Sequence, residues 1–212
     1  YLTLAANKND PNAQHMLGRL YTEGENVDHD INKALYYYTL AANQSFLKSL
    51  NNLGFMYYVG KYVKKDIKKA IHYYTLAVDQ NLPSAQTFFG VLYTEGKYVK
   101  QDITKGIQYL IKAAKQNELN AQHNLGIIYY EGKLVPRNIN KAIYYYTLSA
   151  NQNDNNSQYT LGTIYYEGKF IKPDINKAIH YLTLAADQNN SKAQYLLGDI
   201  YRENRFIAQD II

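Results

Sequence analysis

Apolar residues recur along the chain at the spacing of an α-helix. Ala121, Leu125 and Ile128, for example, occupy positions i, i+4 and i+7, which form one apolar stripe on a helix. No stretch alternates between apolar and polar residues with the period of two that is typical of a half-buried strand. The pattern therefore predicts an all-α protein without a β-sheet.

The helical pattern returns every 36 residues. Each copy has a leucine or phenylalanine, then a glycine, then a tyrosine three residues after the glycine. The glycines of this first column are Gly18, Gly54, Gly90, Gly126, Gly162 and Gly198. Coincidences in several columns at one spacing indicate an internal structural repeat.

Each repeat predicts two helices joined by a short loop. The first helix ends at a second glycine column, because glycine enters the left-handed conformation freely and asparagine tolerates it next best. This second column consists of Gly24, Gly60, Gly96, Gly132 and Gly168, with Asn204 in the last copy. The second helix begins after a side chain suited to N-capping. These caps are Asp30, Asp66, Asp102, Asn138, Asp174 and Asp210.

The first glycine column lies inside a predicted helix and needs a physical reason. Glycine in a helix interior is less stable than alanine by roughly 0.5–1 kcal/mol. Because it recurs in each copy, something must offset that loss. We predict that the paired helix approaches closely at this point.

One helix pair of this kind cannot bury both of its apolar faces alone. Stacked neighbours bury them, so the repeats predict an α-solenoid with a continuous core. We predict a single array over residues 1–212, with partial repeats at 1–10 and 191–212 and both ends open, as in a fragment of a longer protein. The full repeats are 11–46, 47–82, 83–118, 119–154 and 155–190.

The repeat resembles a known family. Its sequence LG-x-x-Y-x-x-G, then D-I-x-K-A-x-x-Y, then A-A-x-Q is similar to the Sel1-like repeat, a relative of the tetratricopeptide repeat. The departures are Gly106 for the usual alanine, Phe89 for the usual leucine, and asparagine for the usual glycine between repeats. These asparagines are Asn81, Asn117, Asn153 and Asn189. The resemblance implies a right-handed α/α superhelical solenoid whose concave surface serves as an adaptor in protein complexes.

The composition narrows the classes of function. The chain has 46% hydrophobic residues and a formal net charge of +5, which permits anionic partners without requiring them. It has no cysteine, which excludes disulfides, thiolate metal sites and cysteine nucleophiles and favours a reducing compartment such as the cytoplasm. No stretch reaches the roughly 18 apolar residues of a membrane span, so we expect no membrane insertion of this segment.

The titratable residues do not predict an enzyme. His15 and His123 share a column but lie three repeats apart, as do His72 and His180, so neither pair can meet on one metal ion. Most carboxylates recur at fixed repeat positions: a glutamate column lies at a helix end, and an aspartate column caps helices. Catalysis needs dissimilar groups that converge in one pocket. We therefore predict no catalytic activity, no cofactor and no metal.

Columns that vary between repeats are candidates for partner binding. By analogy with the tetratricopeptide groove, these are the positions −6, −3, +1 and +4 relative to the first glycine column, which we call the groove columns. Their aromatic and apolar members predict a binding strip, because tyrosine is enriched in binding hot spots. The candidate residues are His15, Phe55, Tyr58, Val91, Ile127, Tyr130, Tyr159, Tyr166 and Tyr195. The hypothesis is that they hold an extended or helical segment of a protein or peptide; the alternative is that they complete the core.

Three further interpretations stay open. The loop lysines Lys61, Lys97, Lys133 and Lys169 align into a row, which is either a surface for acidic partners or a solvated edge. An RNA-binding helical repeat would read bases with polar residues in a basic groove. Nucleic acid is not expected, because the +1 column is partly apolar and the lysine row lies in the loops. A passive spacer inside a larger protein, such as an enzyme, would instead have uniformly polar variable columns.

Overall fold

The computed structural model describes residues 1–24 and 26–209, and the side chains of 1–24 and 26–202. Within these residues the protein has twelve α-helices and no strand. The helices are α1 (Leu2–Asn7), α2 (Pro11–Glu23), α3 (Ile31–Asn43), α4 (Leu47–Val59), α5 (Ile67–Val78), α6 (Pro83–Glu95), α7 (Ile103–Lys115), α8 (Leu119–Glu131), α9 (Ile139–Ala150), α10 (Asn155–Glu167), α11 (Ile175–Asp187) and α12 (Ser191–Gln209). This confirms the prediction of an all-α chain.

The helices form two compact units, Tyr1–Gln101 and Asp102–Ile212. In the first unit, each helix from α1 to α6 packs mainly on the helix before it and the helix after it. In the second unit, α7 to α12 follow the same rule. Packing between neighbours in chain order is typical of a solenoid, in which each module shares its apolar face with the next one.

The helix ends follow the predicted columns. Gly132 ends α8 in the left-handed conformation with φ 70°, and its N–H donates to the carbonyl of Ile128. Asn138 caps α9, since its Oδ1 accepts from the backbone N–H of Lys141 at 3.0 Å. Asn117 is left-handed with φ 63° in the turn between repeats. The capping prediction is therefore confirmed in the described repeats, whereas Asp210 lies outside the described residues.

One predicted helix end is wrong. Helix α12 runs from Ser191 to Gln209 and continues through Asn204. Asparagine tolerates the left-handed conformation but is not confined to it, so it does not stop a helix by itself. The predicted end treated Asn204 as equivalent to a glycine that must reverse the chain before a second helix.

The close approach predicted at the first glycine column is present in both units. A Cβ atom on Gly126 would lie 2.5 Å from Cδ1 of Tyr146, and one on Gly18 would lie 2.6 Å from Cδ1 of Tyr38. Real Cβ atoms essentially never come so close to a neighbour. In these two cases the glycine makes room for a buried tyrosine ring of the second helix, and the packing of that ring offsets the conformational cost of glycine.

The lysine column of the second helix covers tyrosine rings. Tyr129 and Tyr145 stack with ring centroids 5.9 Å apart and planes 6° apart. The ammonium of Lys141 lies 4.8 Å from the centroid of the Tyr129 ring, within the range of a cation–π contact. The same arrangement recurs at Lys33, Lys69 and Lys177. These lysines therefore belong to the framework of the repeat.

Glutamine side chains link consecutive repeats, which the sequence analysis did not predict. Gln122 is buried, and its Nε2 donates to the carbonyl of Ala114 at 3.2 Å and to Oδ1 of Asn117 at 3.1 Å. Its Oε1 accepts from Nε2 of Gln152 at 2.7 Å. The same donor–acceptor pair joins Gln44 to Gln14 and Gln188 to Gln158. We call this set of bonds the glutamine ladder.

Candidate partner-binding surface

The groove columns of consecutive repeats meet in a hollow of the first unit, here named the His15 hollow. Its volume is about 450 Å³. Six of its lining residues belong to the groove columns, namely His15, Arg19, Thr22, Lys48, Asn51 and Phe55. The rest of its wall is Glu23, Tyr38, Asn52, Met56 and Tyr62. Columns of two successive repeats thus build one concavity within one unit.

A second hollow, named the Tyr159 hollow, lies in the second unit. Its volume is about 410 Å³. Five of its lining residues belong to the groove columns, namely Tyr159, Thr163, Tyr166, Lys192 and Tyr195. Glu167, Ser191 and Leu196 complete the wall. Three tyrosines in one small concavity offer a large contact area with polar tips, which is typical of binding hot spots.

The remaining candidate residues pack more closely on the cores. Ile127 and Tyr130 lie against the core cluster of the second unit that is centred on Leu125. The ring of Tyr58 meets the ring of Phe88 edge to face at 5.2 Å. Val91 is half-buried in α6. The structure therefore places five of the nine predicted residues in two hollows: His15, Phe55, Tyr159, Tyr166 and Tyr195.

His15 is held at the base of its hollow. Nδ1 of the ring lies 3.0 Å from Oγ of Ser49, and the ring packs on Tyr38 and Phe46 with centroids 5.4 Å away in both cases. Burial lowers the pKa of His15, and the positive charges of Lys48 and Arg19 lower it further. The lowered pKa favours the neutral form of the histidine at pH 7, and both cations lie near enough to this ring to act on its charge.

The equivalent histidine of the second unit belongs to a polar cluster that has no catalytic geometry. Nδ1 of His123 lies 2.7 Å from Oδ2 of Asp154 and 2.9 Å from Oγ of Ser157. A serine nucleophile needs the base to bind the hydroxyl with one ring nitrogen and the carboxylate with the other. Here both partners contact the same nitrogen, so Asp154 and Ser157 compete for it. The cluster is a structural joint between repeats.

The loop lysines are engaged by nearby groups. The ammonium of Lys61 lies 4.7 Å from the ring centroid of Tyr62, and two other loops repeat this arrangement. Lys133 instead forms an ion pair with Glu131 at 3.0 Å. These contacts fit a solvated edge, in which the lysines keep their charge in water.

The described side chains contain no group of three or more His, Asp or Glu residues that could hold a metal ion. Over the same part of the chain, no helix combines the length and the apolar character that crossing a bilayer demands.

The comparison with family models decides the classification. A model described as the Sel1 repeat matches residues 11–46, 47–82, 83–118, 119–154, 155–190 and 191–211. The chain belongs to the Sel1 repeat family. This confirms the predicted solenoid of helix pairs with a period of about 36 residues. Sel1 repeats commonly mediate protein–protein interaction, and their fold is typically a non-catalytic scaffold.

Solved structures of Sel1 repeat proteins are similar to this chain. A Sel1 repeat protein from Oxalobacter formigenes is 34% identical with a TM-score of 0.84, over 93% of this chain and 80% of that one. The protective antigen c5321 of uropathogenic Escherichia coli is 27% identical with a TM-score of 0.66, over 96% of this chain and 51% of that one. The immunity protein Pa5087 of Pseudomonas aeruginosa is 26% identical with a TM-score of 0.60, over 88% and 71%. No curated protein matches the chain.

Proposed function

We propose that this Sel1 repeat chain is a scaffold that binds segments of a partner protein in the His15 hollow and the Tyr159 hollow. One observation carries the proposal: residues from all four groove columns line each hollow, although these columns vary in sequence between repeats. Variable residues gathered in concavities on a regular framework are free to serve recognition. Phe55 is 52% exposed and Tyr195 is 73% exposed, so both can bury apolar area when a partner binds.

The proposal is tested with a displayed library of random dodecapeptides, selected against the whole chain. Affinities of the selected peptides are then measured by fluorescence anisotropy for the wild-type chain, Phe55→Ala and Tyr195→Ala. We expect each peptide to lose about tenfold or more in affinity with one of these two variants, which is the usual effect of truncating a hot-spot aromatic residue.

Matched controls are available on the second helices. Tyr36 and Tyr144 are each 59% exposed and line neither hollow. Tyr36→Ala and Tyr144→Ala should therefore leave the affinities unchanged. The proposal is wrong if the controls lose as much affinity as the hollow variants, or if circular dichroism shows that the hollow variants have lost helix.

RNA binding by the same surface is the alternative function, which must be distinguished from protein binding. The wall of the Tyr159 hollow contains one cation, Lys192, and one carboxylate, Glu167, so it has no net positive charge. Phosphate contacts make the affinity for nucleic acid fall steeply with salt. We expect a filter-binding assay with single-stranded RNA between 50 and 200 mM salt (about the range over which phosphate-driven binding collapses) to show no such binding.

A further inference from the structure

The two hollows differ in charge, which bears on the chemistry of the partner. The His15 hollow contains two cations, Arg19 and Lys48, and one carboxylate, Glu23. Arg19 Nε lies 3.6 Å from Glu23 Oε2 in an exposed i,i+4 pair, a type of contact that contributes little because water screens it. Lys48 has no ion-pair partner among the described residues. The hollow thus has one matched cation and one unmatched cation.

The cations lie beside both polar and apolar groups. Oδ1 of Asn51 accepts from Oγ of Ser84 at 2.6 Å, so the NH2 group of Asn51 is the part best placed to donate to a ligand. Phe55 and Tyr62 line the same hollow and are 52% and 45% exposed. Burial lowers the pKa of His15 most, and Lys48 and Arg19 both lower it further, so both cations lie near this one ring. A ligand that complements this wall therefore carries both an anionic group and an apolar side chain.

We propose that the His15 hollow binds a carboxylate of the partner segment between Arg19 and Lys48, with a neighbouring apolar side chain of that segment against Phe55. This inference rests on the proposed function and names the partner chemistry for one of its two hollows. Arginine and lysine form charge-assisted hydrogen bonds with carboxylates, which are stronger than neutral ones. Glu23 opposes such a ligand, because it repels the incoming carboxylate and competes with it for Arg19. The carboxylate comes from an acidic side chain or from a chain terminus.

The test uses random hexapeptides in two pools, one with a free C-terminal carboxylate and one with a C-terminal carboxamide. Both pools are screened against the whole chain, and the bound peptides are titrated by fluorescence anisotropy. Peptides rich in Asp or Glu from both pools would identify a side-chain carboxylate as the ligand. Peptides recovered only from the free-acid pool would identify the C-terminus. Either result supports the inference.

Substitutions of the charged residues test whether each one strengthens or weakens peptide binding. The double variant Arg19→Gln with Lys48→Gln should weaken these peptides about tenfold or more, since charged hydrogen bonds are lost. Glu23→Gln should strengthen them, because a repulsive and competing group is removed. The control, Lys68→Gln with Lys172→Gln, removes the same charge from two exposed lysines outside the hollow and should have little effect.

Each contrary result has a separate meaning. Bound peptides with no preference for carboxylates, a double variant within about twofold of wild type, or weaker binding by Glu23→Gln would each overturn the inference. If the bound peptides are neutral and depend only on Tyr195, the scaffold proposal stands and this inference is wrong. If no peptide binds the wild-type chain, both are wrong.

Discussion

At the scale of single residues, one repeat position takes on different chemistry according to the residue that faces it. His15 and His123 occupy the same column, and each lies against the N-cap of the following repeat. That N-cap is Phe46 for His15 and Asp154 for His123. Burial and the charges of Lys48 and Arg19 lower the pKa of His15, whose ring packs on Phe46, whereas the ring of His123 contacts the carboxylate of Asp154 at 2.7 Å. The facing residue, more than the column, sets the role of each histidine.

The carboxyl of Asp154 is expected to make the stability of the second unit depend on pH. Burial raises its pKa, but hydrogen bonds with His123 and Ser157 and the charge of His123 outweigh burial and lower the pKa to about 2, from an ordinary value of 3.8. A carboxyl with a lowered folded-state pKa stabilises the fold above its unfolded pKa. This contribution, on the order of 1–2 kcal/mol, should be present above about pH 4 and lost as the pH falls towards 2.

The measurement is urea unfolding of the wild type and Asp154→Asn at pH 7, 5 and 3, followed by circular dichroism. Asparagine keeps the N-cap, as Asn190 shows at the equivalent position of the next repeat by accepting from the N–H of Ala193 at 3.1 Å. The difference in unfolding free energy between the two proteins should shrink as the pH falls. A difference that stays constant from pH 7 to pH 3 would contradict the assignment.

At the scale of helices and turns, the sequence alone predicts most of the architecture, because caps and left-handed turns depend on local chemistry. Glycine at 132 and asparagine at 138 each act within a few residues, and both behave as predicted. The glutamine ladder escaped prediction because its bonds join residues as far apart as 30 positions. A signal was present in the sequence: where Leu50 replaces the ladder glutamine, Ser45 replaces the asparagine five residues before it.

This paired replacement predicts that Asn117 and Gln122 are energetically coupled. Gln122→Leu alone should cost about 1–3 kcal/mol, because Ala114 O, Asn117 Oδ1 and the Gln152 amide lose a buried partner. Adding Asn117→Ser reproduces the natural Ser45–Leu50 arrangement. The double variant should then be less destabilised than the sum of the single variants by at least about 0.5 kcal/mol.

A double-mutant cycle measured by urea denaturation at pH 7 checks this coupling. Ser45 has φ 60° in its own turn, so serine at position 117 can adopt the required left-handed backbone. Free energies that add to within about 0.3 kcal/mol would show that the asparagine and the glutamine act independently.

At the scale of the whole molecule, packing mainly between chain neighbours within each unit predicts that damage stays local. Leu125 is fully buried in the core cluster shared by α7 to α10. Leu125→Ala should cost about 2–5 kcal/mol as a large-to-small core substitution. Hydrogen exchange should accelerate most in α8 and in its neighbours α7 and α9, and least in α11 and α12, because local opening follows contiguous units.

Exchange measured by mass spectrometry on peptic peptides resolves these helices. Leu184→Ala is the matched control, since it makes the same chemical change at a position that is 36% exposed. It should leave exchange nearly unchanged. Equal acceleration across all helices of residues 102–209 in Leu125→Ala would mean that the second unit opens as one cooperative body.

The sequence predicts the candidate site less completely than it predicts the fold. The groove columns were chosen by analogy with the tetratricopeptide groove, yet which of their residues share a hollow depends on how far each side chain extends and on what packs beneath it. Tyr159 and Tyr195 line one hollow, whereas Ile127 and Tyr130 pack against the core of the second unit. Arg19 and Lys48 were not among the predicted residues, because a cation in a variable column cannot be distinguished from ordinary solvated charge without its neighbours.

The glutamine ladder also bears on how such a protein can gain repeats. Near the end of repeat 119–154, the Ala150 carbonyl accepts from Nε2 of Gln158 at 3.1 Å, just as the Ala114 carbonyl of the preceding repeat accepts from Nε2 of Gln122 at 3.2 Å. A duplicated segment of 36 residues would therefore meet matching donors and acceptors at both of its seams. Duplication in whole repeats keeps this bond at each seam, whereas a seam formed at Leu50 lacks the glutamine donor for the alanine carbonyl. We therefore expect duplication of residues 119–154 to preserve the ladder, whereas a joint that contains Leu50 has one ladder bond fewer.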